Sequence, residues 1–516
     1  MKPKFTSTIA GASIFISIIG LLSRGLGFVR EMIFANNFGL GTEFDLYLVG
    51  AVLPITINSI ILYIGQNYFV PGFQKLNSSD SEASQKYYKQ SFIAFVGLGI
   101  IISIILFLTS DIIINLYMHL APLESKATAK IIFRIFLLTI PFSAAISIFS
   151  ALLQAVYEFK YPAISILFLN ISIIILLVLF SEQLGVYIIP IGYVLGTSLQ
   201  FLYLLIKSQK ILTLNLFANK NELILSKSFI SSSFITIILI ESLSQLYSLF
   251  DRYFYADISS GGIAALNYAF IVWILPVTIF SLSLATAVFP IISQAISDYS
   301  QEQVERIYNE NISVNTFLFI PLAFILFFYG DTIIRILFER GKFVEESTAI
   351  TFNVLRYYSI SLVFYSIYAV FNKMFYSLNK IKILLWITMA GLLIKLILNF
   401  LLLDLEQNGL ALGTSISYMF FFFATYFILN ANLKIKNRSL LVKDFVMHLT
   451  NCIICFLTVK FISSIFDINN IVVDATIILF FVCIYSVNSI LLKHQAMIIF
   501  ARVIENLGFN KRIKAL

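Results

Sequence analysis

Apolar runs about as long as a bilayer is thick recur along almost the whole chain, and that repetition restricts its fold more than any other feature. A helix needs roughly 20 apolar residues to cross about 30 Å of hydrocarbon. Fourteen such runs can be read, from 5–23 at the start to 471–492 near the end. The bilayer core holds no water, so each backbone N–H and C=O must be satisfied within its own segment. The runs therefore predict helices, and together they predict an all-α polytopic membrane protein. Composition agrees: of 516 residues 59% are hydrophobic and 12% charged, with a mean hydropathy of +0.93. Soluble domains average about 45–50% apolar and about 25% charged, and a water-soluble chain could not bury the surplus.

The formal net charge of +8 does not point to nucleic acid, because the basic residues sit in short loops between apolar runs. There they act as orientation signals. Lys2, Lys4, Lys86, Lys160, Lys210 and Lys380 fall at the N-terminus or in even-numbered connections, whereas an opposite loop mixes Asp331, Glu339, Arg340 and Lys342. Both termini are expected in the cytoplasm, and an even number of spans agrees. Met-Lys-Pro-Lys before an apolar run resembles a signal peptide, but no small-residue cleavage site follows, so the run reads as the first span. Cys452 and Cys455 form a CxxC inside an apolar run, where cysteine behaves as a small hydrophobe. A structural reading therefore outweighs a redox or zinc one. There is no Walker A loop and no HExxH, and His119, His448 and His494 are scattered. The expectation is a transporter rather than an enzyme, without cofactor or metal.

A shift of 222 residues places Val29-Arg30-Glu31 over Asp251-Arg252-Tyr253 and Leu53-Pro54-Ile55 over Leu275-Pro276-Val277. It also lays the Gly39–Gly41 segment over Gly261-Gly262. Shared Pro, Gly and Arg positions in order argue for an internal repeat of the kind many transporters contain. Two six-helix lobes are expected, at 1–222 and 223–440, followed by two further helices and a basic cytoplasmic tail at 441–516.

The stretch Leu22-Ser23-Arg24-Gly25-Leu26-Gly27-Phe28-Val29-Arg30-Glu31 resembles the first-helix signature of the MurJ/MviN family. So do Asp45, Leu53-Pro54, Phe69-Val70-Pro71, Asp251-Arg252-Tyr253-Phe254 and Arg340-Gly341-Lys342-Phe343, which fall in family order. That family belongs to the MOP (MATE-like) exporter superfamily and flips lipid II, the undecaprenyl-pyrophosphate-linked peptidoglycan precursor. The resemblance implies a flippase of the bacterial inner membrane, working by alternating access and serving cell-wall synthesis and cell shape. It also implies arginines lining a central cavity, and Arg24 and Arg30 match two of them. The segment after Leu53-Pro54 usually carries an arginine pair and an acid; here it reads Ile55-Thr56-Ile57-Asn58-Ser59. After Asn267-Tyr268-Ala269 an arginine is usual; here Phe270 follows. These losses keep a second reading open, a flippase for another undecaprenyl-linked oligosaccharide such as an O-antigen, capsule or exopolysaccharide unit. A multidrug antiporter of the same superfamily would be expected to carry acids where Arg24 and Arg30 stand.

A pyrophosphate crossing hydrocarbon needs cations and donors along its path, and arginine's planar fork suits phosphate oxygens. Arg24 and Arg30 are the first candidates. They lie six apart, about 120° around an ideal helix, so Gly25 and Gly27 would have to let the helix unwind to aim both at one ligand. Asp45 could hold either arginine in place, Asn58 could meet sugar hydroxyls, and Arg252 is the repeat partner of Arg30. Charges within apolar spans suggest function by default. Glu241 and Lys395 are two such charges, and Asn399 shares a helix face with Lys395. Glu241 and Lys395 are expected to form a buried pair, either static or coupled to a proton or monovalent cation gradient.

Overall fold

The computed structural model describes residues 9–77, 81–211, 232–298, 300–378, 380–433, 439–463 and 471–492, with single positions 435, 494 and 496. The chain divides into two compact units, Met1–Ala264 with Arg340–Phe343, and Ala265–Glu339 with Val344–Leu516. The lobe boundary expected at 222 falls in 212–231, outside the described residues, as do Lys2, Lys4 and the basic tail from 497 onward.

The first unit contains α1 (Ile9–Phe38), α2 (Thr42–Ile64), α3 (Val70–Asn77), α4 (Ser81–Leu108), α5 (Ser110–Tyr117), α6 (Leu123–Leu137), α7 (Thr139–Ala155), α8 (Lys160–Leu184), α9 (Ile188–Ile211) and α10 (Ser232–Tyr253). It closes with the first turn of α11 (Gly262–Pro276). The rest of α11 opens the second unit, which continues with α12 (Leu282–Ser297), α13 (Gln301–Phe338), α14 (Glu345–Ser359), α15 (Leu362–Ser377), α16 (Ile381–Leu401), α17 (Glu406–Leu433), α18 (Leu440–Ser463) and α19 (Ile471–Leu491). Among the described residues there is no strand.

These helices lack the amphipathic pattern of soluble ones. On α4, Ile101, Ile104, Ile105 and Leu108 are between 53% and 75% exposed. That i, i+3, i+4, i+7 stripe would be the buried face of a soluble helix; turned outward, it has lipid as its solvent. Small and hydroxylated residues are buried beside a largely apolar and aromatic core. α7 buries Ser143, Ser147 and Ser150 among alanines, and the Ser147 hydroxyl donates to the Ile61 carbonyl of α2 at 2.8 Å. Small residues that let backbones approach, with hydroxyls as cross-links, are how helices associate in lipid.

Ten helical segments among the described residues are long and apolar enough to cross a membrane, or eleven if α14 and α15, bent by 50° at their junction, form one broken span. This is fewer than the fourteen expected. One of the ten, Lys160–Gln209, spans both α8 and α9. Residues 1–8 and 212–231, next to α1 and α10, lie outside the described residues. The repeat has a physical counterpart at Gly39 and Gly261, which are 222 apart and both left-handed, with φ of +56° and +83°. A Cβ on Gly39 would sit 2.2 Å from the Lys342 carbonyl oxygen, and one on Gly261 2.5 Å from that of Leu40. Glycine is required twice for the same reason.

Candidate functional site

α1 runs unbroken through Gly25 and Gly27, so the unwinding expected between the two arginines does not occur. Glycine permits such a break but does not drive it, and a Cβ on Gly25 would meet nothing within 4 Å, so no neighbour prises the helix open there. On the intact helix the two arginines diverge. Arg24 is exposed. Arg30 is turned inward, its side chain only 17% exposed.

Arg30 sits in a prepared socket. Its Nη2 donates to Glu31 Oε1 at 2.6 Å and its Nη1 to Asn170 Oδ1 of α8 at 3.1 Å. The guanidinium also lies 5.6 Å from the ring centroids of Phe34 and Tyr193, within cation–π range. Asn170 is itself buried and returns its Nδ2 to the Ser23 carbonyl at 3.3 Å. One amide thus ties two levels of α1 to α8 and orients the arginine. Residues adjacent in a helix do not normally face each other; the length of the arginine stem is what lets it reach Glu31. The Nε of Arg30, buried, has no hydrogen-bond partner, which leaves one donor for a further acceptor.

This socket separates two cavities along the α1–α8 seam, where the helices run in the same direction. A cavity of about 340 Å³ lies beside Ser23, with Gln66, Ser150, Gln154 and Gln200 in its wall. A second, of about 600 Å³, lies beside Val29 and Asn37, with Glu182, Gln183 and Arg340 in its wall. The first is lined by uncharged amides and hydroxyls with apolar walls, the second by both signs of charge. Arg30 itself lines neither cavity; its position along α1 falls between the two.

Asp45 does something the sequence reading did not foresee. Its Oδ2 accepts the Gly261 N–H at 2.6 Å and its Oδ1 the Ala264 N–H at 2.8 Å. A carboxylate accepting amides at a helix start satisfies donors that have no intrahelical partner and meets the positive end of the helix dipole. Asn58 of α2 donates to the Thr139 hydroxyl of α7 at 2.8 Å, and its buried Oδ1 has no partner. Asn67 donates back to the Tyr63 carbonyl of its own rod at 2.9 Å. Arg252 lies on α10, with its side chain outside the described residues. Glu241, also on α10, accepts from Gln245 one turn on at 2.8 Å.

In the second unit Lys395 and Asn399 are both buried on α16, 1% and 0% exposed. Where the family resemblance implies an arginine after Asn267-Tyr268-Ala269, this chain builds an aromatic wall. Trp273 is fully buried and stacks on Tyr418 with ring centroids 5.4 Å apart. Sequence reasoning missed Glu31, Asn170 and Tyr193. Asn170 carried a signal, a lone amide in the apolar run Leu167-Phe168-Leu169-Asn170-Ile171, and such residues inside spans are rarely idle.

A family model described as lipid II flippase MurJ matches residues 34–481. The chain is 27% identical over 414 residues to the probable lipid II flippase MurJ of Buchnera aphidicola subsp. Acyrthosiphon pisum, covering 78% of this chain and 80% of that protein. It is 28% identical over 453 residues to the lipid II flippase MurJ of Thermosipho africanus, covering 85% and 90%. Among solved structures, a lipid II flippase MurJ in an inward closed conformation matches with a TM-score of 0.80 at 25% identity, over 93% of this chain and 99% of that one. A multidrug resistance MATE family transporter of the MOP superfamily shares the fold at a TM-score of 0.66 and 14% identity, over 80% and 94%.

Proposed function

The chain belongs to the lipid II flippase MurJ family, and from that premise we propose that it moves lipid II from the cytoplasmic to the outer leaflet by alternating access. The observation that carries this reading is the family match across residues 34–481. Lipid II bears a pyrophosphate and sugars, and the Arg30 socket between an amide-lined and a charged cavity suits such a headgroup. The family transports, and we read this chain as a transporter without a catalytic centre, since its sequence carries neither a Walker A loop nor HExxH.

In this reading Arg30 engages the pyrophosphate, and Arg24, at the exposed face of α1, meets the headgroup at a separate stage of its passage. Asn58 and the amides near Ser23 meet sugar hydroxyls, Asp45 supports the site as a helix cap, and Arg252 is held as a further phosphate contact. Glu241, Lys395 and Asn399 are assigned to coupling with a proton or monovalent cation gradient. The protein resides in the bacterial inner membrane with both termini cytoplasmic, as the placement of its lysines supports.

Complementation tests the proposal: a strain depleted of its own lipid II flippase should grow when this chain is expressed. Failure with normal membrane expression would transfer the assignment to another undecaprenyl-linked glycan. The uncharged segment Ile55–Ser59 favours that second reading.

A further inference from the structure

The cavity beside Ser23 has a chemistry that the Arg30 socket does not share. It occupies about 340 Å³ within the first unit, among α1, α2, α7, α8 and α9. That is near the lower end of the range of about 300–1,000 Å³ typical of ligand pockets. Its polar lining is Ser23, Gln66, Ser147, Ser150, Gln154 and Gln200, and among the described residues no charged side chain stands in its wall. Leu62, Ile146 and Ile166 supply apolar surface between them.

Three of these polar groups are left unused by the protein itself. Ser150 is 7% exposed, and its hydroxyl makes no hydrogen bond among the described residues, nor do the side-chain amides of Gln66 and Gln154. A buried hydroxyl costs free energy until it finds a partner, so the cavity favours an occupant that hydrogen-bonds. Gln200 donates through Nε2 to the Ser165 hydroxyl at 3.2 Å, which fixes its amide and leaves the oxygen to accept. Amides and hydroxyls offer donors and acceptors together. An ion would find no countercharge there and would lose its hydration, whereas an uncharged ligand rich in hydroxyls and amides meets every group.

The backbone departs from regular geometry at two points of the same wall. α2 passes into a π-helical turn over Gly65–Phe69, and that turn carries Gln66. Such turns are rare and concentrate at functional sites. Here α7 presses against it: a Cβ on Gly65 would sit 2.0 Å from the Ser147 hydroxyl oxygen. Between Gln154 and Phe159 the chain turns from α7 to α8 with Tyr157 left-handed, at φ +62°. That conformation is costly to a residue with a side chain, and such strain collects at binding sites.

Spacing relates the cavity to the arginine. Ser23 precedes Arg30 by seven residues on the unbroken α1, about 10 Å of rise. Asn170 bonds to both, through the Ser23 carbonyl and the Arg30 guanidinium. A pyrophosphate at Arg30 would leave its directly attached sugar short of the cavity and bring the next one within reach. We propose that the cavity seats one uncharged sugar ring, the terminal N-acetylhexosamine of the carried headgroup, and that Gln66, Ser150 and Gln154 select it. The volume admits a single ring without a peptide branch. This assignment rests on the reading that Arg30 engages the pyrophosphate of lipid II.

Binding of three carriers to the full chain in lipid nanodiscs tests it: lipid II, lipid I (the same molecule without the terminal N-acetylglucosamine) and undecaprenyl pyrophosphate. The native chain should hold lipid II about tenfold more tightly than lipid I, the gain expected from one or two neutral hydrogen bonds. In Ser150→Ala/Gln154→Ala, shown to be folded by its unfolding midpoint, that preference should fall below about twofold. Equal affinity for lipid I and lipid II in the native chain would overturn the subsite and leave a cavity for water alone. A preference that survives in the folded double variant would overturn it as well. If none of the three carriers binds the native chain, the lipid II reading falls with the subsite, which separates the two failures.

Discussion

Replacing Glu31 by glutamine separates a substrate-binding role for Arg30 from a purely structural one, because the two roles predict opposite signs. Glu31 lies 2.6 Å from the Arg30 guanidinium and compensates its charge. A phosphoryl oxygen seated about 4 Å on the other side of that guanidinium would be attracted by about 4 kcal/mol per unit charge at an effective dielectric of about 20. The same oxygen, roughly 6–7 Å from the Glu31 carboxylate, would be repelled by roughly 2–3 kcal/mol. The two side chains are 17% and 11% exposed, which is why that intermediate dielectric applies rather than a dry one. Glu31→Gln keeps the shape and removes the repulsion, so affinity for undecaprenyl pyrophosphate should rise by at least about tenfold, since each 1.4 kcal/mol is a factor of ten. The same change breaks a largely buried ion pair, so the melting temperature should fall while affinity improves. Binding to the folded protein in nanodiscs, measured beside Arg30→Gln, is the assay. Affinity that stays level or drops in Glu31→Gln would refute the reasoning and leave Arg30 as a helix-to-helix fastener.

Asp45→Ala removes the acceptor of two buried backbone N–H groups and should cost about 2–4 kcal/mol, read as a lower unfolding midpoint with faster exchange at the start of α11. Asp45→Asn should cost less, because one amide oxygen can still accept. Asn170→Ala should destabilise by about 1–2 kcal/mol through loss of a charge-assisted bond, whereas Asn58→Ala, which loses a neutral interhelical bond, should cost about 0.6 kcal/mol. Equal unfolding midpoints for these two variants would contradict the geometry at Arg30. Gly261→Ala forces a Cβ into a left-handed residue against the Leu40 carbonyl and should cost about 2–4 kcal/mol, checked by thermal unfolding. Transport by Glu241→Gln should lose its dependence on an imposed proton gradient; an unchanged dependence removes Glu241 from coupling.

The helical, membrane-spanning character of this chain was legible from residue order alone. Lipid solvation acts on each run of about 20 residues separately, and no partner is needed to know that such a run is a helix. One correspondence of the 222-residue shift was legible for a similar reason: left-handed turns at Gly39 and Gly261 demand the same residue type wherever they occur. Family order in the first helix, Leu22 through Glu31, pointed to the lipid carrier before any coordinate did. What each polar side chain touches was not legible. Arg30 meets Asn170, 140 positions away, Asp45 caps residues 216 and 219 positions away, and His448 meets His494 across 46. A helix commits a side chain to a direction, but only the packing of other helices decides what stands in that direction. For the same reason Arg24 and Arg30 could be picked out together from the sequence, while tertiary contacts alone left one exposed and gave the other a socket.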